Sequence, residues 1–181
     1  MHLEIRIAGF GGQGIIRTGL ILAAASCIHG GKNATQTASY GPESRGGRCR
    51  SEVIISDEEI DFPKVEHPDI LVAMSQEAFI EYSRDLKEKG ILIVDPDLVP
   101  EHNLKSEVRT YEVPATKIAE RLGTRIVANV VMIGAFAAIT NIIEKKLLIE
   151  SVERNVPKAL REMNLAAFEE GYKYGGDLVS S

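Results

Sequence analysis

The residues best suited to chemistry near the start of the chain are glycines spaced as G-x-G-x-x-G, at Gly9, Gly11 and Gly14. They follow a β-type run at residues 3–8 and precede an apolar run at residues 15–28 that is typical of a helix. In this strand–turn–helix context the pattern indicates an anion site, because backbone N–H groups at a helix start attract negative charge. The other interpretation is that the glycines only allow a tight turn.

A second candidate is the glycine-rich segment that begins at Tyr40. A helix start alone stabilises a nearby exposed anion by only about 0.3–1 kcal/mol, so other contacts are needed. Arg45, Arg48 and Arg50 are the best candidates, because guanidinium groups bind phosphate and carboxylate through paired hydrogen bonds. The alternative is a hydrated hairpin in which Arg48 and Arg50 face water and Glu43 pairs with Arg45.

A classical dinucleotide site is disfavoured by the segment that follows the first helix. Such a site takes an acidic residue about 20 positions beyond the glycines, where it binds the ribose hydroxyls. Residues 33–39 read NATQTAS and contain no acid, and Glu43 comes late, inside the loop. A stand-alone dinucleotide-dependent oxidoreductase is therefore kept only as an alternative interpretation.

The composition is typical of a globular chain with no general basic surface. The 181 residues are 44% hydrophobic and 26% charged, and the net charge of −5 disfavours a nucleic-acid partner. Two cysteines, Cys27 and Cys49, cannot supply the four thiolates of an iron–sulfur cluster or a Cys₄ zinc site, and Cys27 is predicted to lie in the core. The first residues have no signal-peptide character, so a cytoplasmic location is expected.

Short apolar runs alternate with helical segments along the chain. Strands are predicted at residues 3–8, 33–39, 48–56, 69–74, 91–94 and 105–113, and helices at 15–28, 76–89, 115–122, 130–142, 145–154 and 158–172. Ser75 and Asn129 are expected to cap helices, and Gly90 to end one. The alternation predicts an α/β fold, a Rossmann-like three-layer sandwich with a mostly parallel sheet and helices on both faces. A single domain at residues 1–174 is expected, followed by a frayed tail at residues 175–181.

The uncharged stretch at residues 126–143 just reaches the length of a membrane span. It contains three polar side chains and is interpreted as a buried helix, so no membrane partner is expected. Asp95 and Asp97 flank a proline and are interpreted as a turn, and the four histidines are dispersed without metal-ligand spacing. The residues alone therefore predict an anion-binding edge of an α/β domain, with no catalytic residue and no metal ligand.

Five stretches add a more specific signal. They are GFGGQG at residues 9–14, SYGPESRGG at 39–47, DILVAMSQ at 69–76, NVVMIGA at 129–135 and NLAAFEEGY at 164–172. Together they cover nearly the whole chain and resemble the gamma subunit of 2-oxoacid:ferredoxin oxidoreductases. Because this chain is a separate small subunit, it is most similar to the 2-oxoglutarate and branched-chain 2-oxoacid members of the family. The pyruvate and indolepyruvate members share the same motifs.

The resemblance implies an oxidoreductase that acts on 2-oxoacids with an iron–sulfur protein as acceptor, and only as a complex. It would convert a 2-oxoacid, with 2-oxoglutarate as the first choice, together with coenzyme A and oxidised ferredoxin to acyl-CoA, carbon dioxide and reduced ferredoxin. The partners implied are alpha and beta subunits, with a delta subunit as a further candidate. Thiamine diphosphate and iron–sulfur clusters would lie in those partners, so this chain alone would hold no cofactor and coenzyme A would be the co-substrate.

The same resemblance implies that the glycine turn and the loop at residues 40–47 face the partners' active site. It also implies that coenzyme A is the ligand at this position. No catalytic residue is expected in this chain, and Arg45 is the expected anion contact. The expected cofactor-binding residues are Gly11, Gly12, Gln13, Gly14, Tyr40, Glu43, Arg45 and Gly46. A third interpretation is a non-catalytic assembly scaffold, whose loop only docks partner subunits.

Overall fold

The computed structural model describes residues 1–41, 46–104 and 107–180, and within them six strands form one sheet. The strands are β1 (His2–Phe10), β2 (Asn33–Tyr40), β3 (Arg48–Ser56), β4 (Ile70–Ala73), β5 (Ile91–Val94) and β6 (Arg109–Glu112). Their order across the sheet is β2-β3-β1-β4-β5-β6. The pairs β1–β4, β4–β5 and β5–β6 are parallel, whereas β3 is antiparallel to both β1 and β2. The sheet is therefore mixed and mostly parallel, as predicted.

The helices of the described residues follow the predicted order. They are α1 (Ile15–Ala24), α2 (Gln76–Tyr82), α3 (Ala115–Arg121), α4 (Ala128–Thr140), α5 (Lys145–Asn155) and α6 (Arg161–Ser180). α1 continues into a π-helical turn at Ala25–His29, and short 3₁₀ turns occupy Ser83–Asp85, Arg125–Val127 and Lys158–Leu160. The hydroxyl of Ser75 accepts a hydrogen bond from the N–H of Ala78 at 3.2 Å, so the predicted cap of α2 is confirmed.

Two hydrophobic cores lie on opposite faces of the sheet, because alternate residues of a strand point to opposite sides. The larger core contains Ile70 and Val72 of β4 and the buried faces of α1 and of α3 to α6. The smaller core contains Leu71 and Ala73 of the same strand, together with Phe79 of α2. The predicted arrangement of helices on both faces of the sheet is therefore confirmed.

Helix α4 is enclosed on every side, since 11 of its 13 residues are buried. Its neighbour α6 approaches so closely that a Cβ atom on Gly171 would overlap the carbonyl oxygen of Val131, and one on Gly134 would overlap the carbonyl oxygen of Phe168. The stretch at residues 126–143 therefore lies in the protein core, as interpreted. No helix of the described ranges is long and apolar enough to cross a membrane.

The helix predicted at residues 76–89 is wrong in length, because the helix in the structure is shorter. α2 ends at Tyr82, and a 3₁₀ turn at Ser83–Asp85 follows. The carboxylate of Asp85 accepts a hydrogen bond from Nη1 of the buried Arg6 at 3.0 Å, a contact that local sequence does not reveal. Gly90 does not end this helix but precedes β5, where its N–H donates to the carbonyl of Lys87 at 2.8 Å.

Three further predictions are corrected by the packing. Asn129 lies inside α4 rather than before it, and the hydroxyl of Thr124 instead caps the preceding 3₁₀ turn. Cys27 is exposed, because it belongs to the π-helical turn that leaves the core after α1. The segment from Gly175 to Ser180, predicted as a frayed tail, is helical because Gly175 is buried against the backbone of Ala135 in α4.

The contact between α4 and α6 generates a stability prediction. Gly171→Ala is expected to lower the free energy of unfolding by about 1–3 kcal/mol, because the new methyl group overlaps the α4 backbone. Chemical denaturation of the purified chain measures the change.

Gly176→Ala in the same helix is the matched control. A Cβ atom there meets no atom within 4 Å, so alanine's higher helix propensity is expected to raise the free energy of unfolding by about 0.5–1 kcal/mol. Equal effects of the two variants would contradict the close packing of α4 on α6.

Candidate functional site

The glycine turn (residues 9–14) lies at the carboxyl end of β1, where ligands of α/β sheets bind. Gly14 has a φ of 76°, a left-handed conformation that glycine adopts without strain, and it directly precedes α1. No side chain of the described residues caps this helix start. Its first N–H groups are therefore left for a ligand, and they favour an anion.

The loop between β2 and β3 meets the glycine turn at this edge. The N–H of Gly11 donates to the carbonyl of Gly47 at 2.8 Å, and a Cβ atom on Gly11 would lie 3.3 Å from Cα of Gly46. The predicted proximity of turn and loop is confirmed for these residues. Glu43 and Arg45 lie outside the described residues, so their roles stay predictions.

Gln13 already uses both ends of its amide within the protein. Its Oε1 accepts a hydrogen bond from the N–H of Phe10 at 2.6 Å, and its Nε2 donates to the carbonyl of Met74 at 2.8 Å. The side chain thereby joins the glycine turn to the end of β4. This arrangement gives Gln13 a positioning role in the turn, whatever contact it makes with a ligand.

A cavity of about 320 Å³ opens beside the first turn of α1, and we call it the glycine-turn cavity. Gly12 and Gly14 contribute its backbone wall, and Asn129 of α4, which lies against Gly14, also lines it. Tyr40 and Ile126 also line it and are 70% and 71% exposed. Two large side chains thus stand at its rim, where a ligand or partner would cover them.

Asn129 is the residue of this cavity whose position sequence reasoning missed. The residue is 6% exposed, but its amide atoms are not among the fully buried atoms without a hydrogen-bond partner in the described residues, so the amide is within reach of solvent. A Cβ atom on Gly14 would lie 2.6 Å from its Nδ2, so the amide is directed at the start of α1. The amide lines the glycine-turn cavity and can therefore reach a ligand beside the helix start.

A second cavity of about 200 Å³, the arginine cavity, lies at the start of β3. Arg48 and Arg50 line it together with Glu81 and Tyr82 of α2. Nη1 of Arg48 is 3.2 Å from Glu81 Oε2, and Nη1 of Arg50 donates to the Tyr82 hydroxyl at 3.3 Å. The alternative in which both arginines merely face water is therefore wrong, because α2 supplies partners that lie more than 30 residues away.

Tyr82 and Cys49 stay neutral in this region. Burial raises the pKa of the Tyr82 hydroxyl and that of the Cys49 thiol above their ordinary values. The Tyr82 ring also packs under two guanidinium groups, those of Arg6 and Arg50, at 5.0 and 5.5 Å from its centroid. Cys49 lines both cavities, and its protonated form at neutral pH makes it a poor nucleophile.

The strand order adds an argument against a classical dinucleotide site. In such a site the strand beside β1 is parallel and ends with the acidic ribose contact. Here the neighbour is the antiparallel β3, whose first residue, Arg48, pairs with Phe10 of β1. A cation therefore stands near the edge where that carboxylate would be.

The remaining polar residues that sequence analysis singled out have structural contacts. Asp95 is fully buried and accepts hydrogen bonds from the N–H and hydroxyl of Thr116 at 2.7 and 2.6 Å and from the N–H of Asp97 at 3.1 Å. His29 lies 3.3 Å from Glu150 on α5, and His102 bonds the carbonyl of Val99. These groups hold the turn and helix ends in place and lie outside both cavities.

Comparison with known proteins identifies relatives over the full length of the chain. The sequence model of the family described as pyruvate ferredoxin/flavodoxin oxidoreductase matches residues 4–174. A 2-oxoglutarate synthase subunit KorC from Methanocaldococcus jannaschii is 49% identical over 180 residues, covering 98% of this chain and 96% of the relative. KorC from Methanothermobacter thermautotrophicus is 52% identical over 174 residues, covering 93% and 92%.

Solved structures agree with the sequence comparison. The gamma subunit of a keto/oxoacid ferredoxin oxidoreductase from Geobacter sulfurreducens superposes with a TM-score of 0.85 at 42% identity, covering 96% of this chain and 98% of that one. A 2-oxoglutarate:ferredoxin oxidoreductase from Magnetococcus marinus, solved with 2-oxoglutarate, coenzyme A and succinyl-CoA, gives a TM-score of 0.81 at 27% identity. It covers 96% of this chain, which corresponds to 31% of that longer one. The chain belongs to the pyruvate ferredoxin/flavodoxin oxidoreductase family.

Proposed function

We propose that this chain is the gamma subunit of a multisubunit 2-oxoglutarate:ferredoxin oxidoreductase. The observation that carries the proposal is an identity of about 50% with three 2-oxoglutarate synthase subunits over more than nine-tenths of each chain. Relatives named for other 2-oxoacids are less similar, at 39% for ketoisovalerate, 31% for pyruvate and 27% for indolepyruvate oxidoreductase subunits. A further 2-oxoglutarate synthase subunit is 38% identical, so the proposal for 2-oxoglutarate depends on the three relatives near 50% and not on identity to every subunit of that name.

The complex would convert 2-oxoglutarate, coenzyme A and oxidised ferredoxin to succinyl-CoA, carbon dioxide and reduced ferredoxin. We assign thiamine diphosphate and the iron–sulfur clusters to alpha and beta subunits, with a delta subunit as a further candidate, in the cytoplasm. The task of this chain is to bind and orient coenzyme A at the edge that faces those partners. It contributes no reacting group of its own.

The geometry of the glycine turn supports this task. The uncapped start of α1 offers backbone N–H groups, and Asn129 offers an amide without a protein partner beside them. Such a pair of donors suits the diphosphate of coenzyme A. Gly11, Gly12, Gln13, Gly14, Tyr40, Glu43, Arg45 and Gly46 are the proposed coenzyme A residues, to which we add Asn129. The M. marinus relative contains coenzyme A, which supports the ligand class.

Mild affinity purification of the chain from its native cells tests the assembly. We expect alpha-type and beta-type subunits and bound thiamine diphosphate to copurify, and the complex to prefer 2-oxoglutarate among a panel of 2-oxoacids. Recovery of the chain alone, active with a nicotinamide cofactor, would refute the proposal and favour the dinucleotide alternative.

Arg45→Ala is expected to raise the KM of the complex for coenzyme A about tenfold, because a charge-assisted hydrogen bond to phosphate is lost. Steady-state kinetics with coenzyme A as the varied substrate measures this. Arg109→Ala is the matched control, since Arg109 begins β6 at the opposite edge of the sheet. An unchanged KM and turnover in an intact Arg45→Ala complex would favour the scaffold interpretation.

The Asn129→Leu variant tests whether the amide of Asn129 serves coenzyme A binding or the stability of the fold. The substitution keeps the volume but removes an amide that has no partner among the described residues, so the melting temperature is expected to stay constant or rise. The KM for coenzyme A is expected to increase about tenfold, while the exposed Asn103→Leu control leaves it unchanged. A loss of thermal stability with an unaltered KM would show that the amide serves the fold.

A further inference from the structure

The two edges of the sheet differ in how they are protected. An exposed edge strand is a template for pairing with another chain, and proteins usually prevent this with short strands, charges, proline or bulges. The edge strand β6 has four residues and includes Arg109 and Glu112. The opposite edge strand, β2, has eight residues, NATQTASY, without a charge or a proline, and it pairs with β3 in one continuous register. The edge at β2 therefore lacks the usual protection.

The backbone groups that β2 leaves open follow from its pairing with β3. The N–H of Gly41 donates to the carbonyl of Arg48, the residue opposite it in the register, at 2.7 Å. Because hydrogen-bonded pairs alternate along an antiparallel ladder, the odd-numbered residues of β2 bond to β3. The residues whose N–H and C=O groups point away from the sheet are Ala34, Gln36, Ala38 and Tyr40. None of these backbone groups has a partner in the part of the chain that the structure describes.

The helix layer above this edge also exposes apolar surface. The amide of Gln36 donates to the carbonyl of Ile16 in α1 at 3.0 Å, so α1 lies directly over β2. On the same helix Leu20 is 44% exposed, and Ile28 in the π-helical turn that follows is 72% exposed. A partner that adds both a strand beside β2 and a helix beside α1 would cover these side chains as well.

A second copy of the chain fits this edge. An antiparallel arrangement that places Thr37 of the two copies opposite each other sets Gln36 of each copy opposite Ala38 of the other, and Ala34 opposite Tyr40. Each of these pairs exchanges two hydrogen bonds, so every outward N–H and C=O group of β2 gains a partner. Because β2 is uncharged, two copies meet here without the repulsion that a net charge of −5 creates between the chains as a whole.

We propose that two copies of this chain associate through β2, antiparallel about a two-fold axis at Thr37, so that their two six-stranded sheets become one continuous sheet. The same rotation brings the two copies of α1 side by side on one face, where Leu20 of each copy loses exposed surface. A self-complementary contact of this kind closes after two copies and leaves no free β2 edge. The inference goes beyond the proposed function, because it concerns how two copies of the chain meet.

Disulfide formation tests the register in the Cys27→Ser background, which removes the exposed native thiol. In the proposed dimer the two Thr37 residues form a non-hydrogen-bonded pair with Cα atoms about 4.5 Å apart, which is within the range of a disulfide. Thr37→Cys is therefore expected to give a covalent dimer after oxidation with diamide. Ser39→Cys lies on the same strand and the same face, but its two copies would be separated by about 14 Å along the strand, so this control is expected to stay monomeric on a non-reducing gel.

Sedimentation velocity of the purified chain tests the hydrogen bonds. The wild-type chain is expected to be a dimer, and Ala38→Pro is expected to raise the dissociation constant at least about tenfold, because it removes an outward N–H from each copy and spares the bonds to β3. Thr110→Pro is the matched control on β6. The N–H groups of Arg109 and Val113 donate toward β5, so that of Thr110 points outward too, and this variant is expected to remain a dimer. Circular dichroism checks that both variants fold.

Three results would overturn the proposal. The first is a wild-type chain that stays monomeric at every concentration, including the case in which Ala38→Pro instead weakens assembly with a different subunit, because β2 would then pair with that subunit. The second is a dimer that Ala38→Pro leaves unchanged. The third is cross-linking of Ser39→Cys as efficient as that of Thr37→Cys. Each of these results leaves the proposed function intact, since turnover of the complex with coenzyme A is measured separately.

Discussion

The backbone of the glycine turn contacts other segments closely at Gly9, Gly11 and Gly14, where an added side chain would meet neighbouring atoms. Gly11 packs against Gly46 of the hairpin loop, and Gly14 packs against Asn129 of α4. Gln13 adds a third attachment through its hydrogen bond to the end of β4. These contacts fix the start of α1 relative to the loop, α4 and the central strands, so the donors of the site are positioned before any ligand arrives.

The rest of the fold maintains this constraint. α4 cannot move away from the turn, because it is buried on all sides and its carbonyl groups meet glycines of α6. β3 is held against β1 by a nine-residue antiparallel register and by the buried pair of Arg6 with Glu52. The loop that joins β2 to β3 therefore starts and ends at fixed points beside the turn. The glycine-turn cavity consequently shares Ile15 and Cys49 with the hydrophobic core of the protein.

Local patterns predicted most of the elements, and non-local contacts explain what was missed. Apolar runs and glycine spacing identified β1, β4, β5 and the turn, because burial and backbone conformation there depend on neighbouring residues. The insertion of β3 between β1 and β2 was not predictable, since strand pairing is decided by contacts about 50 residues apart. The role of Asn129 was hidden for the same reason: a polar residue before an apolar run looks like a cap, and only its distance from Gly14 shows otherwise.

The antiparallel direction of β3 divides the strand into two ends with separate tasks. Arg48 and Arg50 stand at the ligand edge, whereas Val53 and Ile55 lie fully buried in the core near the other end. A substitution at the exposed position 48 is therefore separated from the packing that folds the sheet, whereas Arg50 packs on the ring of Tyr82 in α2. The two ends of β3 can therefore vary independently in sequence, because one end is held by side-chain contacts with α2 and the other by burial in the core.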